Sequence, residues 1–163
     1  MWDVIQKEKP DVILMAFPCT PWSIIQNMNM TDPWRKMQVE KARHEDQPLL
    51  DLVVQVARHQ ENHGKYYVIE NPTSSRAWNQ SPLKELRKES SQVVFHMCTM
   101  GLTDPYTGER LRKTTRLVTN SSAVTKRLQD KTCMKVCGPV GNGPRTNRFL
   151  ETRGSRKTDL GRK

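Results

Sequence analysis

Cys19 stands between two prolines in the run Phe17-Pro18-Cys19-Thr20-Pro21-Trp22-Ser23, and Glu70-Asn71-Pro72 follows further along the chain. A thiolate adds to an electron-poor ring carbon. A carboxyl group that hydrogen-bonds the adjacent ring nitrogen stabilises the charge that then develops there. A cysteine and a glutamate in one pocket could therefore act together on a heteroaromatic ring. Each residue also has a plainer reading. A free cysteine is often a small buried side chain. Glu70 could satisfy backbone amides at a helix N-terminus, and Asn71 could be a turn residue.

The elements that must position these residues are legible as patterns. Val12-Ile13-Leu14-Met15-Ala16 is a short apolar run opened by Pro10-Asp11, which predicts a buried strand over 11–16. Pro18 and Pro21 fix φ and lack an amide proton, so they end that strand and stiffen the loop that carries Cys19. Residues 3–9 read as the end of a helix. Residues 24–45 are polar and Met-rich, with Thr31-Asp32-Pro33 as a helix start. From Gln47 to His59, Leu49, Leu50, Leu52, Val53, Val56 and Ala57 cover one broad helical face, which His63-Gly64 ends. Tyr66-Tyr67-Val68-Ile69 predicts a second strand, closed by Glu70-Asn71-Pro72. A helix over Pro82–Lys88 capped by Ser81, a third strand over Val93–Cys98 and a turn at Asp104–Gly108 follow. A fourth strand over Thr114–Thr119, hairpin-paired with the third, and a short helix over Ser121–Leu128 complete the pattern. Strand, helix, strand, helix, strand implies an α/β fold with a parallel sheet and crossover helices. Two strands that end on the same edge, about 4.8 Å apart, would bring Cys19 and Glu70 into one pocket.

Pro18-Cys19-x-x-x-Ser23 followed by Glu70-Asn71-Pro72 resembles the catalytic core of the DNA cytosine-5 methyltransferases. Lys113-Thr114-Thr115-Arg116-Leu117-Val118-Thr119-Asn120 stands in the place of that family's arginine strand and is similar to the version in divergent phage and mobile-element members. The resemblance runs from about Asp11 to Asn120. It implies a partial Rossmann-like methyltransferase sheet with flanking helices and a C-terminal hairpin. It implies Cys19 as the nucleophile on cytosine C6 and Glu70 as the residue that holds ring N3 and the exocyclic amine. Asn71 would order the Pro-Cys loop, Arg116 would help bind the target base or its phosphate, and Ser23 would lie against nucleic acid. Pro18 would lie against the cofactor S-adenosylmethionine, and DNA would be the partner. The target base must leave the duplex to reach such a pocket.

The chain departs from the family's pattern as well. It has no glycine before Gly64, so the glycine-rich cofactor loop has no counterpart ahead of the cysteine strand. Gly138-Pro139-Val140-Gly141-Asn142-Gly143 follows no predicted strand and does not replace it. Trp22 stands where the family often has Phe, Asn71-Pro72 replaces Asn-Val, and the arginine strand lacks the Gln-x-Arg-x-Arg spacing. The expected identity is an incomplete enzyme, with residues 1–130 as a methyltransferase-like core fragment and 131–163 as a basic, loop-rich tail. A separate N-terminal cofactor-binding half is the further partner expected. The alternative is a catalytically inactive nucleic-acid-binding module derived from a mobile-element polyprotein.

Charge supports a polyanionic partner. The net charge is +10 over 163 residues. Residues 1–105 hold 12 Lys/Arg and 13 Asp/Glu, whereas 106–163 hold 15 and 4, so all of the excess lies in the last third. Such a field binds phosphate in a salt-dependent way. Arg110, Arg112 and Lys113 are the expected DNA-backbone contacts; the alternative for them is a solvated hairpin. Mean hydropathy is −0.76, which allows only a thin core. No stretch is long enough for a membrane span, and no secretion signal opens the chain, so the expected setting is intracellular: cytoplasm of a prokaryote or phage host, or a nucleus. Four cysteines are too sparse for a secreted disulfide scaffold.

Cys133-x-x-x-Cys137 offers half of a tetrahedral zinc site, with Cys98, His44, His59, His63 and His96 as the remaining candidates. No second pair lies at a suitable distance downstream, so two small buried side chains and no metal are expected. His59 and His63 would share a solvated helix end. Trp2, Trp34 and Trp78 are expected to be packing residues.

Overall fold

The computed structural model describes residues 2–133 and 137–139. Their order is α1 (Trp2–Glu8), β1 (Val12–Ala16), a 3-10 segment (Ile24–Thr31), α2 (Pro33–Asn62) and β2 (Tyr66–Pro72). A 3-10 turn (Arg76–Asn79), α3 (Leu83–Glu89), β3 (Ser91–His96) and a second 3-10 turn (Met97–Met100) come next. The chain then forms β4 (Leu111–Arg112), β5 (Thr114–Thr119), α4 (Ser122–Leu128) and β6 (Gly138–Pro139). The fold is mixed α/β.

The main sheet has the order β1-β2-β5-β3. β1 and β2 are parallel neighbours, with Ala16 beside Glu70. β5 is antiparallel to both β2 and β3. The first three strands run in one direction and the fourth pairs antiparallel with the third, as expected, but the neighbour order is corrected: the fourth inserts between the second and third. The Glu70-Asn71-Pro72 segment lies inside β2 rather than after it, because β5 pairs with it as far as Pro72 opposite Thr115. β4 and β6 form a separate two-stranded parallel pair.

α2 joins the two helical stretches read from the sequence into one. Asp32 caps it by accepting from the Arg35 amide at 2.8 Å, and Pro33 takes its first position. Pro48 sits inside the helix. It cannot donate to the His44 carbonyl, and both residues are exposed. The helix stops at His63, and Gly64 turns the chain at φ +66°. Ser81 does not cap α3; Pro82 precedes its first helical residue, and the Ser81–Pro82 bond is cis.

Strand alternation splits the core into two faces. Tyr67, Ile69 and Val118 pack with Leu50, Val53 and Ala57 of α2, Leu83 and Leu86 of α3, and Trp78. Val68, Val93, Phe95 and Leu117 form the second face, covered by Val124 and Leu128 of α4. A seven-residue helix is not stable alone, so α4 owes its existence to that contact. Polar side chains stitch the layers. Gln60, fully buried, donates to the carbonyls of Pro10 (3.1 Å) and Tyr66 (3.0 Å). Asn120 accepts from the Tyr67 amide at 3.1 Å and donates to the Lys65 carbonyl at 2.8 Å, fixing the start of β2.

Candidate active site

The parallel pairing of β1 and β2 places the Pro-Cys loop and the Glu-Asn segment at one rim of the sheet. Asn71 is fully buried, and its Nδ2 donates to the Phe17 carbonyl at 3.0 Å. The far end of the loop is fixed independently. Trp22 is buried, its indole N–H donates to the Asp46 carboxylate, and its carbonyl accepts from the Arg76 amide at 2.8 Å. Arg43 stacks over Trp22 at 5.9 Å and donates to the Pro21 carbonyl at 2.9 Å. Ser23 caps the following 3-10 segment by accepting from the Ile25 amide at 3.2 Å. Between these anchors Pro18 and Thr20 are exposed and Cys19 is half-buried. The Cys19 thiol is thus the accessible one near the sheet rim, whereas Cys98 and Cys137 are buried.

Glu70 shares its face with Val68 and Leu117. Its Oε1 is buried without a hydrogen-bond partner, and the Lys113 ammonium lies 3.6 Å from it. Seven buried side-chain polar atoms lack a hydrogen-bond partner among the described residues. Five of them belong to Glu70, Asn71, Thr73, Thr115 and Arg116, at the end of β2 and the start of β5. They do not form one patch: Glu70 and Thr115 lie on one face of the sheet, Asn71 and Arg116 on the other, and the Glu70 oxygen faces the Lys113 ammonium.

Arg116 lies across from Asn71 in the β2–β5 ladder and points to the opposite face from Glu70. Its guanidinium sits 5.8 Å over Trp78, and burial, with Arg87 nearby, lowers its pKa from the usual value. The structure therefore groups Asn71 with Arg116 on one face and Glu70 with Lys113 on the other. Lys113, expected from the sequence to contact the DNA backbone, is the partner of Glu70, a pairing the sequence pattern did not reveal. Its place just ahead of the arginine strand was the available signal.

Arg110 and Arg112 are exposed beside the Asp104 turn. Backbone hydrogen bonds from Thr107 (2.9 Å) and Tyr106 (2.8 Å) hold the Asp104 carboxyl below its ordinary range and brace the turn. A groove of about 550 Å³ runs beside β1 to Phe17 and Pro18; its lining is apolar apart from Glu8.

Of the tryptophans expected to pack, Trp78 is buried, and Trp2 lies edge-on to His59 at 5.4 Å between ring centres. Trp34 is not a packing residue: it is 66% exposed, next to the exposed Met37. The His59 and His63 rings lie 4.2 Å apart at the end of α2, as the helical spacing predicts. Cys133 and Cys137 are not merely two small side chains, for Cys98 joins them, with all three sulfurs within 4.8 Å of one another. The Cys137 thiol is pushed up to about 12, first by its hydrogen bond with Cys133 and then by burial. Most of the predicted basic tail lies outside the described residues, as does most of the glycine-rich run from Gly138 to Gly143. Among the described residues no helix is long and apolar enough to cross a membrane. Comparison of the chain with protein-family models, with curated proteins and with solved structures gives no match in any of the three.

Proposed function

We propose that this chain is the catalytic half of a DNA cytosine-5 methyltransferase-like enzyme, acting through a thiol on an extruded cytosine. The observation that carries the reading is the Asn71 amide bond to the Phe17 carbonyl. It ties the Pro-Cys loop to the Glu-Asn strand end at one rim. Glu70, whose buried carboxylate oxygen lies 3.6 Å from the Lys113 ammonium, and the half-buried Cys19 are carried by these same two segments. The parallel β1–α2–β2 unit supports a part of a Rossmann-like methyltransferase sheet.

In this reading the Cys19 thiolate forms a carbon–sulfur bond at cytosine C6. The electron pair of the C5–C6 double bond moves into the ring toward N3. A proton passed from solvent through the Glu70 carboxyl to N3, with the same carboxyl accepting from the exocyclic amine, leaves the adduct neutral at N3 and nucleophilic at C5. Asn71 is a positioning residue that holds the loop. Lys113 keeps the Glu70 side chain directed to its own face of the sheet.

The described residues do not by themselves fit S-adenosylmethionine. The groove at Pro18 is apolar with one carboxylate, whereas that cofactor carries a sulfonium, an amino acid and a ribose that need polar partners and a close backbone turn. The methyl donor therefore belongs to a separate cofactor-binding half. The open outer edge of β1, with Val12 and Leu14 exposed, is the place where the strand of such a half would add.

The test combines the full chain with a cofactor-binding half, S-adenosylmethionine and duplex DNA containing 5-fluorocytosine. A covalent protein–DNA adduct that survives denaturation and disappears in Cys19→Ser is the expected result. Its absence from the wild-type mixture refutes the chemistry. The exposed Arg110 and Arg112 then favour the second reading, a nucleic-acid-binding module without catalysis.

A further inference from the structure

Cys98 meets Cys133 and Cys137, more than thirty residues further along the chain, beside the basic hairpin. Cys98 lies in the 3-10 turn after β3, and Cys133 and Cys137 belong to the segment after α4. Their sulfurs all lie within 4.8 Å of one another, and those of Cys133 and Cys137 are 3.0 Å apart. None of the four cysteines of the chain is in a disulfide. Four sulfurs at about 2.3 Å from a tetrahedral zinc would stand about 3.8 Å from one another, a separation inside the range seen here.

The surroundings fix the ligands before any metal arrives. The His96 amide and the Thr99 hydroxyl donate to the Lys131 carbonyl, at 2.9 and 3.2 Å. The Cys133 amide donates to His96 Nδ1 at 2.8 Å. The end of β3 therefore holds the backbone at Cys133 in place relative to Cys98. Cys137 is followed directly by β6, which pairs with Leu111 and Arg112 of β4. Three soft donors brought together by the turn after β3 and the segment after α4 match a zinc site better than a chance packing of small side chains.

We propose that Cys98, Cys133 and Cys137 bind one zinc ion as thiolates, with water in the fourth tetrahedral position. Among the described residues no further Cys, His, Asp or Glu atom joins the group. Binding releases the thiol protons to solvent and involves no change of oxidation state. The ion cross-links the end of β3 to β6 and, through β4, braces the basic run at Arg110 and Arg112. The zinc site shares no residue with the sheet rim, so it stands or falls independently of methyltransferase chemistry.

The experiment is metal analysis of the full chain purified without added chelator. About one zinc per chain is expected, released by a thiol-modifying reagent. Exchange into cobalt is expected to give thiolate-to-metal charge transfer in the near ultraviolet and the intense visible bands of tetrahedral coordination. Cys98→Ser and Cys133→Ser should each lower the zinc content to a small fraction of wild type, while Cys19→Ser keeps it. Wild-type chain that is folded, has all four thiols reduced and takes up neither zinc nor cobalt overturns the proposal. So does a Cys133–Cys137 disulfide found by mass spectrometry, or stoichiometric copper or iron in place of zinc. The wild-type measurements stand even if a serine variant fails to fold.

Discussion

Asn71 is the residue on which the arrangement of the rim turns, and its replacement gives a sharp test. Its Nδ2 donates to the Phe17 carbonyl at 3.0 Å in a fully buried setting, while its Oδ1 has no partner. Asn71→Ala loses one hydrogen bond, about 1 kcal/mol, and leaves a carbonyl unpaired, about 1–3 kcal/mol more. It also removes an unsatisfied acceptor, which offsets part of that loss. The net cost is about 2 kcal/mol, or about 4–8 °C in Tm for a domain of roughly 150 residues. Asn71→Asp keeps the shape, loses the donor and sets a carboxylate against the Phe17 carbonyl, so it must cost more than alanine. Urea unfolding followed by the fluorescence of buried Trp22 and Trp78 gives the stability order. The alkylation rate of Cys19, read by peptide mapping, reports the loop and should rise in both variants. If aspartate proves milder than alanine, or both stay within about 0.5 kcal/mol of wild type, Asn71 only fills space and the reasoning fails.

Two further outcomes can be checked directly. Burial raises the Tyr67 phenol above its ordinary value, against the lowering effect of its 2.7 Å hydrogen bond to Ser90. A phenol raised on folding contributes stability that is intact below the unfolded value, near pH 10, and is lost as pH rises through the folded one. Urea midpoints should thus fall in alkali for wild type and fall less steeply for Tyr67→Phe; equal slopes would contradict this. For DNA, Arg110→Glu and Arg112→Glu should make the dependence of log affinity on log salt shallower by about 0.9 per lost phosphate contact. An unchanged slope would remove the hairpin from the interface.

Much of the frame was legible because local chemistry announces it. Asp32-Pro33 and His63-Gly64 mark the ends of α2, and the apolar runs at Val12 and Tyr66 mark β1 and β2. Their parallel pairing followed from the helix between them. The position of β5 was not legible, since the β-branched and apolar run Thr114–Thr119 reads as a strand but does not say which strands it joins. Buried Thr115 and Thr119 disguise it further. α2 runs through Pro48 at an exposed position, where the loss of one backbone hydrogen bond is tolerated. Lys113 and Cys98 were hard to place for a common reason: each meets its partner only through tertiary pairing, Lys113 with Glu70 and Cys98 with Cys133 and Cys137.

The outermost strand has a bearing on how the protein can be handled. Among the described residues nothing pairs with the outer side of β1, and Leu14 on it is 68% exposed. Such a border is a template for any passing extended peptide, including a second molecule of the same chain. Pro10 and Pro18 bracket it and can donate no amide, so they act as gatekeepers that hold a growing ladder to a few residues. Concentrated preparations are therefore expected to self-associate through this strip, and a charged residue at Leu14 should keep them dispersed.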